Sequence, residues 1–133
     1  METLILPAAL RETMVAALRA ALPAEGCGLL AGHGRRVERV YPVPNRLASP
    51  TAYEMAPAEQ LAAMLDLEER GLKLLAIYHS HPQGPSFPSA SDVAQAYYPE
   101  AVYIIVDFGP PRPVIGAFRI VGGSVHKVAV RSE

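Results

Sequence analysis

Cysteine is nearly absent from this chain: Cys27 is its sole representative among 133 residues. No internal disulfide can therefore form, and a reducing cytoplasm is the simplest expected compartment. An excess of charge of either sign is also missing, since the formal charge is −1 and charged residues make up 19% of the chain. That balance excludes an acidic or basic tail protein and removes the electrostatic footprint of a general nucleic-acid binder. No apolar run approaches the roughly 20 residues of a membrane span. The N-terminal stretch carries Glu2 where a signal peptide wants a cation, and Arg11 and Glu12 close its apolar run early, so no targeting segment is expected. Repeats, low-complexity tracts and interdomain linkers are likewise lacking. The length prior gives a single domain over 1–133, large enough to fold without a disulfide or structural metal.

Periodicity supplies the elements. Leu10, Met14, Leu18 and Leu22 recur every four residues and predict a helix from Pro7 to Ala21, stopped by Pro23. Gly26 to Ala31 reads as a short buried strand, Gly32-His33-Gly34 as a tight turn and Arg36 to Val43 as the returning strand. Tyr41 to Pro57 holds four prolines, which predicts a long irregular segment. Pro57 opens a second helix that stops near Gly71. Leu72 to Tyr78 reads as a buried strand, His79 to Pro88 as a polar turn region and Ser89 to Tyr98 as a short helix. Strands follow over Ala101 to Asp107, Val114 to Val121 and Ser124 to Val130. The expected class is α/β, a mixed sheet with helices packed on it.

One stretch carries chemistry. His79 and His81 stand at i and i+2 at a predicted strand end, where alternation points both imidazoles to one side. Asp92 follows at the start of the next helix. Two histidines and one carboxylate, leaving a fourth position open, form the ligand set of a hydrolytic zinc rather than a closed structural site. Hydrolysis also needs a proton carrier. Glu25, at the mouth of the small apolar strand, is partly desolvated there, which raises a carboxylate's pKa. Ser89 offers a hydroxyl for the oxyanion of a tetrahedral intermediate. Each element has an ordinary alternative: a hydrogen-bonded histidine pair, a helix capping box for Ser89 and Asp92, a surface acid for Glu25. The pattern His-[Ser/Thr]-His-x7-Ser-x-x-Asp nevertheless arises by chance in only about one shuffled chain in 100,000 of this composition.

With Glu25 upstream, His79-Ser80-His81 and Ser89-Ala90-Ser91-Asp92 resemble the motif of JAMM (MPN+) metalloproteases. Pro23 to Leu30 and the Asn45 to Pro57 segment are similar to the small prokaryotic branch of that family. The resemblance runs from about Leu4 to Val121 with the motif complete. It implies a cytidine-deaminase-like three-layer fold. It implies one Zn2+ per chain on His79, His81 and Asp92, Glu25 as general base and acid, and Ser89 as oxyanion donor. It implies hydrolysis of the peptide or isopeptide bond after the C-terminal Gly-Gly of a ubiquitin-like sulfur-carrier protein, in an enzyme that could form a homodimer. The Tyr41 to Pro57 segment is then expected to wall the channel for that tail.

Three alternatives compete. RadC-like proteins share His-x-His-Pro-x-Gly, which His79 to Gly84 also match, but the chain shows neither their extra helical DNA-binding region nor a basic charge. Non-catalytic scaffolds of the same fold lose ligands that are all present here. A nucleoside deaminase needs a Cys-x-x-Cys that one cysteine cannot supply. Cys27 itself reads as a small buried hydrophobe, with a thiol near the metal as the alternative. His33 and His126 lack ligand partners in sequence. Arg35, Arg36 and Arg39 read as a solvated basic cluster that could meet an acidic carrier. Phe87 reads either as packing over the site or as a substrate contact.

Overall fold

The computed structural model describes residues 2–133. Among these, one mixed sheet is built from β1 (Thr3–Ile5), β2 (Cys27–His33), β3 (Arg36–Val43), β4 (Lys73–His81), β5 (Val102–Asp107), β6 (Val114–Val121), β7 (Ser124–Lys127) and β8 (Ala129–Arg131). The helices are α1 (Ala8–Ala21), α2 (Pro57–Glu69) and the short α3 (Ala90–Ala94). The strand order is β7-β6-β5-β4-β2-β3-β1-β8. The β7 and β8 segments are neighbours in the chain yet lie at opposite ends of that order. Val128, between them, donates its N–H to the carbonyl of Ala117 at 2.8 Å. The extended segment thus ties the two ends of the sheet together.

Strand alternation divides the buried side chains between two faces. Tyr78, Leu30 and Ile104 pack with Met14 and Leu18 of α1, which explains the four-residue apolar spacing of that helix. Ile77, Leu29 and Ile105 point the other way, toward Ala63 and Met64 of α2. Burying both faces explains why β2 and β5 read as continuous apolar runs rather than alternating ones. Gly28 is required by a close approach: a Cβ there would collide with the Tyr78 ring and hydroxyl. No helix among the described residues is long and apolar enough to cross a membrane.

The structure corrects several sequence expectations. The strand expected to stop at Tyr78 runs on through His81, because β5 pairs alongside it as far as His81↔Asp107. The first tight turn centres on Gly34 and Arg35, with Gly32 and His33 still inside β2. The helix expected to reach Tyr98 ends at Ala94, and the Tyr98 N–H bonds instead to the Tyr103 hydroxyl at 3.0 Å. The last expected strand is split at Val128, whose N–H turns toward Ala117. A strand absent from the sequence reading, β1, pairs in parallel with both β3 and β8.

Candidate active site

The extension of β4 decides where the site lies. His79 and His81 occupy its last turn of alternation, where β4 and parallel β5 both end. Ends of parallel strands are the usual place for ligand sites in such sheets. The Nε2 atoms of the two rings are 3.1 Å apart. Asp92 arrives from α3, with Oδ1 at 3.2 Å from His79 Nε2 and Oδ2 at 3.1 Å from His81 Nε2. All three groups therefore converge as the spacing implied.

Asp92 is held by a capping box. Ser89 Oγ accepts the Asp92 N–H at 3.0 Å, and Asp92 Oδ2 accepts the Ser89 N–H at 2.9 Å. The capping reading and the ligand reading of this segment are one device: the cap aims the carboxylate. Ser89 Oγ spends only acceptor capacity on the cap and keeps its own proton to donate.

The donor set passes a test for a cation. His81 Nδ1 lies 2.6 Å from the Pro85 carbonyl, which only accepts, so Nδ1 carries a proton. In the neutral ring, Nε2 is then a bare lone pair aimed at the Asp92 carboxylate and at His79 Nε2. With both rings neutral, at most one proton, on His79, is left for these lone-pair atoms, whereas a cation satisfies them; where Asp92 and Pro85 keep His81 protonated, its Nε2 proton takes the cation's place. Their separations are close to the roughly 3.3 Å edge of a tetrahedron with zinc-like bonds of about 2.0–2.1 Å. His79, His81 and Asp92 can therefore hold a divalent ion. Among the described residues, His79 Nδ1 has no partner, and its ring is fixed by stacking on Tyr53 at 4.5 Å between centroids.

Electrostatics follow from this packing. Burial pushes the His79 imidazole toward its neutral form, outweighing Asp92. Burial also opposes charge on His81, but bonds to Asp92 and Pro85 prevail and raise it. For Asp92, burial is overcome by the two histidines, which hold the carboxyl well below the usual range.

Glu25 sits just before β2 and is only 4% exposed. Its backbone is pinned from two sides: its N–H donates to Ser49 O at 2.8 Å, and Asn45 Nδ2 donates to its carbonyl at 3.0 Å. The next residue, Gly26, donates its N–H to Ser80 Oγ at 2.9 Å. Ser80 faces away from the two histidines, so one strand end presents ligands on one side and anchors the Glu25 segment on the other. Burial raises the Glu25 carboxyl to about 7, partly countered by His81 and reinforced by Asp92. Glu25, His81 and Ser89 line one cleft of about 470 Å³, with Pro50 and Thr51 from the proline-rich segment.

The Glu25 shift has a stability consequence. A carboxyl that ionises near 7 when folded and near 4.5 when unfolded is tolerated below the lower value. It destabilises the fold progressively as pH rises toward the upper one. In chelator-treated protein, Glu25→Gln is expected to raise Tm by at least roughly 4 °C at pH 8.5 and by little at pH 4.5. Thermal unfolding at the two pH values checks this, and equal shifts at both would contradict it.

Other residues fall into place. Cys27 is buried, with Sγ 3.3 Å from the Val43 carbonyl, and burial pushes its thiol up to about 12. It packs as a small buried side chain. His33 bonds to Glu38 at 2.6 Å and to the Gly71 carbonyl at 3.1 Å, bracing two turns far from the ligand cluster. Phe87 packs edge to face on Phe118 at 5.2 Å and also lines the cleft. The sequence reading gave no role to Ser80 or to the Pro85 carbonyl, and it noted Asn45 and the aromatic residue of its segment only as part of the resemblance.

A family model described as prokaryotic homologs of the JAB domain matches residues 7–120. Over 88 residues the chain is 54% identical to a Thermus thermophilus protein described as a probable TtuB-protein conjugate cleaving protease. That match covers 65% of this chain and 58% of the relative's length. Over 130 residues it is 38% identical to the CysO-cysteine peptidase of Mycobacterium tuberculosis, covering 96% of this chain and 89% of the relative. A solved structure from Desulfitobacterium hafniense is similar at a TM-score of 0.85 and 38% identity, covering 98% of this chain and 94% of that one.

Proposed function

This chain belongs to the family of prokaryotic homologs of the JAB domain, and from that premise we propose that it is a zinc-dependent peptidase. Its substrate is the bond following the Gly-Gly terminus of a ubiquitin-like sulfur-carrier protein. The observation that carries the reading is the convergence of His79, His81 and Asp92, with His81 sharing a cleft with the buried Glu25 and with Ser89. The relatives support the substrate class, since one is described as a probable TtuB-protein conjugate cleaving protease and another as a CysO-cysteine peptidase. The cytidine-deaminase-like arrangement and a single functional unit spanning 1–133 are part of the same reading.

His79, His81 and Asp92 are the ligands in this account. When bound there, zinc supplies Lewis-acid activation of water and of the scissile carbonyl. Glu25 takes the proton of the attacking water on its carboxylate and passes it to the departing nitrogen. A carboxyl poised near 7 by burial is suited to both directions of transfer. Ser89 donates its free hydroxyl proton to the carbonyl oxygen as charge develops there. Ser89→Ala is expected to lower kcat by about 10²–10³-fold. It leaves metal content near wild type, because the Ser89 backbone N–H still holds Asp92. Steady-state rates and metal analysis on the same preparation check both halves.

The substrate tail has a defined path. Strand β4 is paired on both sides, by β2 and β5, so in this reading an extended tail beside the ligand cluster runs along the irregular 44–56 segment. Tyr53, Met55 and Leu47 of that segment line a cavity of about 400 Å³ with Tyr97 and Tyr98, and Tyr53 bridges it to His79 by stacking. A thin Gly-Gly tail fits such a path and side chains crowd it. The test is incubation with Gly-Gly-tailed carriers bearing C-terminal extensions, followed by mass spectrometry with and without chelator. Cleavage after Gly-Gly that chelator abolishes is expected, as is a loss of at least about tenfold when either glycine becomes alanine. Equal rates for glycine and alanine tails would remove the channel.

A further inference from the structure

The cleft that holds Glu25 continues past Pro50, Pro82 and Gln83 into a second cavity of about 560 Å³. Leu22, Pro23 and Phe108 complete its lining. The two cavities share three wall residues and so adjoin as one trench, whose outer part contains none of the three ligand residues. The tyrosine-lined cavity shares no wall residue with either and meets the ligand cluster through Tyr53, which stacks on His79. The site therefore has two sides of different chemistry.

The direction of the reaction assigns them. Glu25 delivers a proton to the departing nitrogen, so the leaving residue departs on the Glu25 side. We infer that the trench of Leu22, Pro23, Pro50, Pro82 and Phe108 seats the side chain of the leaving residue and selects an apolar side chain or alkyl stem there. This rests on the peptidase reading above and adds to it a specificity for the amine side of the bond.

The chemistry of the lining carries the choice. Five of its six residues are apolar, three of them prolines whose rings cannot rotate away. Gln83 is the one polar member of this outer cavity, which no charged side chain lines; Glu25 lies in the adjoining cleft. A carboxylate or ammonium seated there loses water without gaining a partner. Arg19 lies with its guanidinium over the Phe108 ring at 5.2 Å. It is engaged with that ring and is not part of the lining.

The test uses the zinc-loaded full chain and a set of peptides ending Gly-Gly-X, with X as Leu, Met, Asp or Lys. Competition hydrolysis is read by mass spectrometry. Leu and Met are expected to exceed Asp and Lys in kcat/KM by at least about tenfold, the range over which one apolar pocket discriminates. Gln83→Glu places a carboxylate in the trench wall on an exposed residue. It is expected to raise the Lys:Leu ratio by about fivefold or more and to lower the Asp:Leu ratio. Calorimetric binding of the same peptides to the turnover-deficient Glu25→Ala protein should give the same ranking without hydrolysis. If all four peptides are cleaved within twofold of one another, and the Gln83→Glu ratios do not move, the trench assignment falls while the peptidase reading stands. If no Gly-Gly-X peptide or carrier is cleaved, both fall.

Discussion

Replacing Asp92 with Ala is expected to strip the metal from the protein and lower kcat/KM by about 10³-fold or more. Loss of one of three ligands removes both the charge and an anchor from the site, and the Lewis-acid contribution at stake is several kcal/mol. The two histidines cannot compensate. With His81 Nδ1 committed to the Pro85 carbonyl, only two neutral nitrogens 3.1 Å apart would remain. The capping box complicates an alanine result, because the same carboxylate also accepts the Ser89 N–H. Asp92→Asn separates the effects: its amide oxygen can keep the cap, while the negative charge is gone. Metal analysis and thermal unfolding of both variants are the measurements. Both should lose the ion, and the alanine variant should be the less stable of the two.

Glu25→Ala is expected to give the opposite pairing, with metal retained and turnover lost. A proton carrier that serves both the attacking water and the departing nitrogen is worth about 10²–10⁴-fold. Glu25 is not among the three converging ligand groups, so its removal leaves them in place. Glu25→Gln keeps the volume and removes only the titrating oxygen, and it should be similarly slow. Metal content at one ion per chain with kcat reduced by at least about 10²-fold supports the role. Near-wild-type turnover in either variant on a verified substrate would remove Glu25 from the mechanism.

The parts of the site that were legible in the sequence are those fixed by local geometry. Alternation put His79 and His81 on one side of a strand, and the three-residue spacing of a capping box put Ser89 against Asp92. Helices α1 and α2 were legible because a proline and a periodic apolar stripe mark each. What escaped depends on partners distant in sequence. Ser80 matters because Gly26 donates to it from 54 residues away. Tyr53 matters because its loop folds over His79. The Pro85 carbonyl reaches His81 only because Gly84 turns with φ +73°. A Cβ on Gly84 would lie 2.6 Å from the Asp107 carboxylate. Strand β1 is three residues long and owes its extended form to β3 and β8, so no local pattern announces it. The end of α3 was misread because Gln95 to Tyr98 carries helix-compatible residues. Pro99 disfavours helical backbone at Tyr98, and a tyrosine hydroxyl captures its N–H.

The central claim is that His79, His81 and Asp92 grip one zinc ion with Glu25 facing the same cleft. A crystal structure of the zinc-loaded protein, with anomalous data collected on both sides of the zinc edge, tests it most directly. The account predicts one strong zinc peak per chain, in contact with Nε2 of both histidines and the Asp92 carboxylate, with the Glu25 carboxylate turned toward it. A peak on other residues, or none in protein shown to carry zinc in solution, would contradict it.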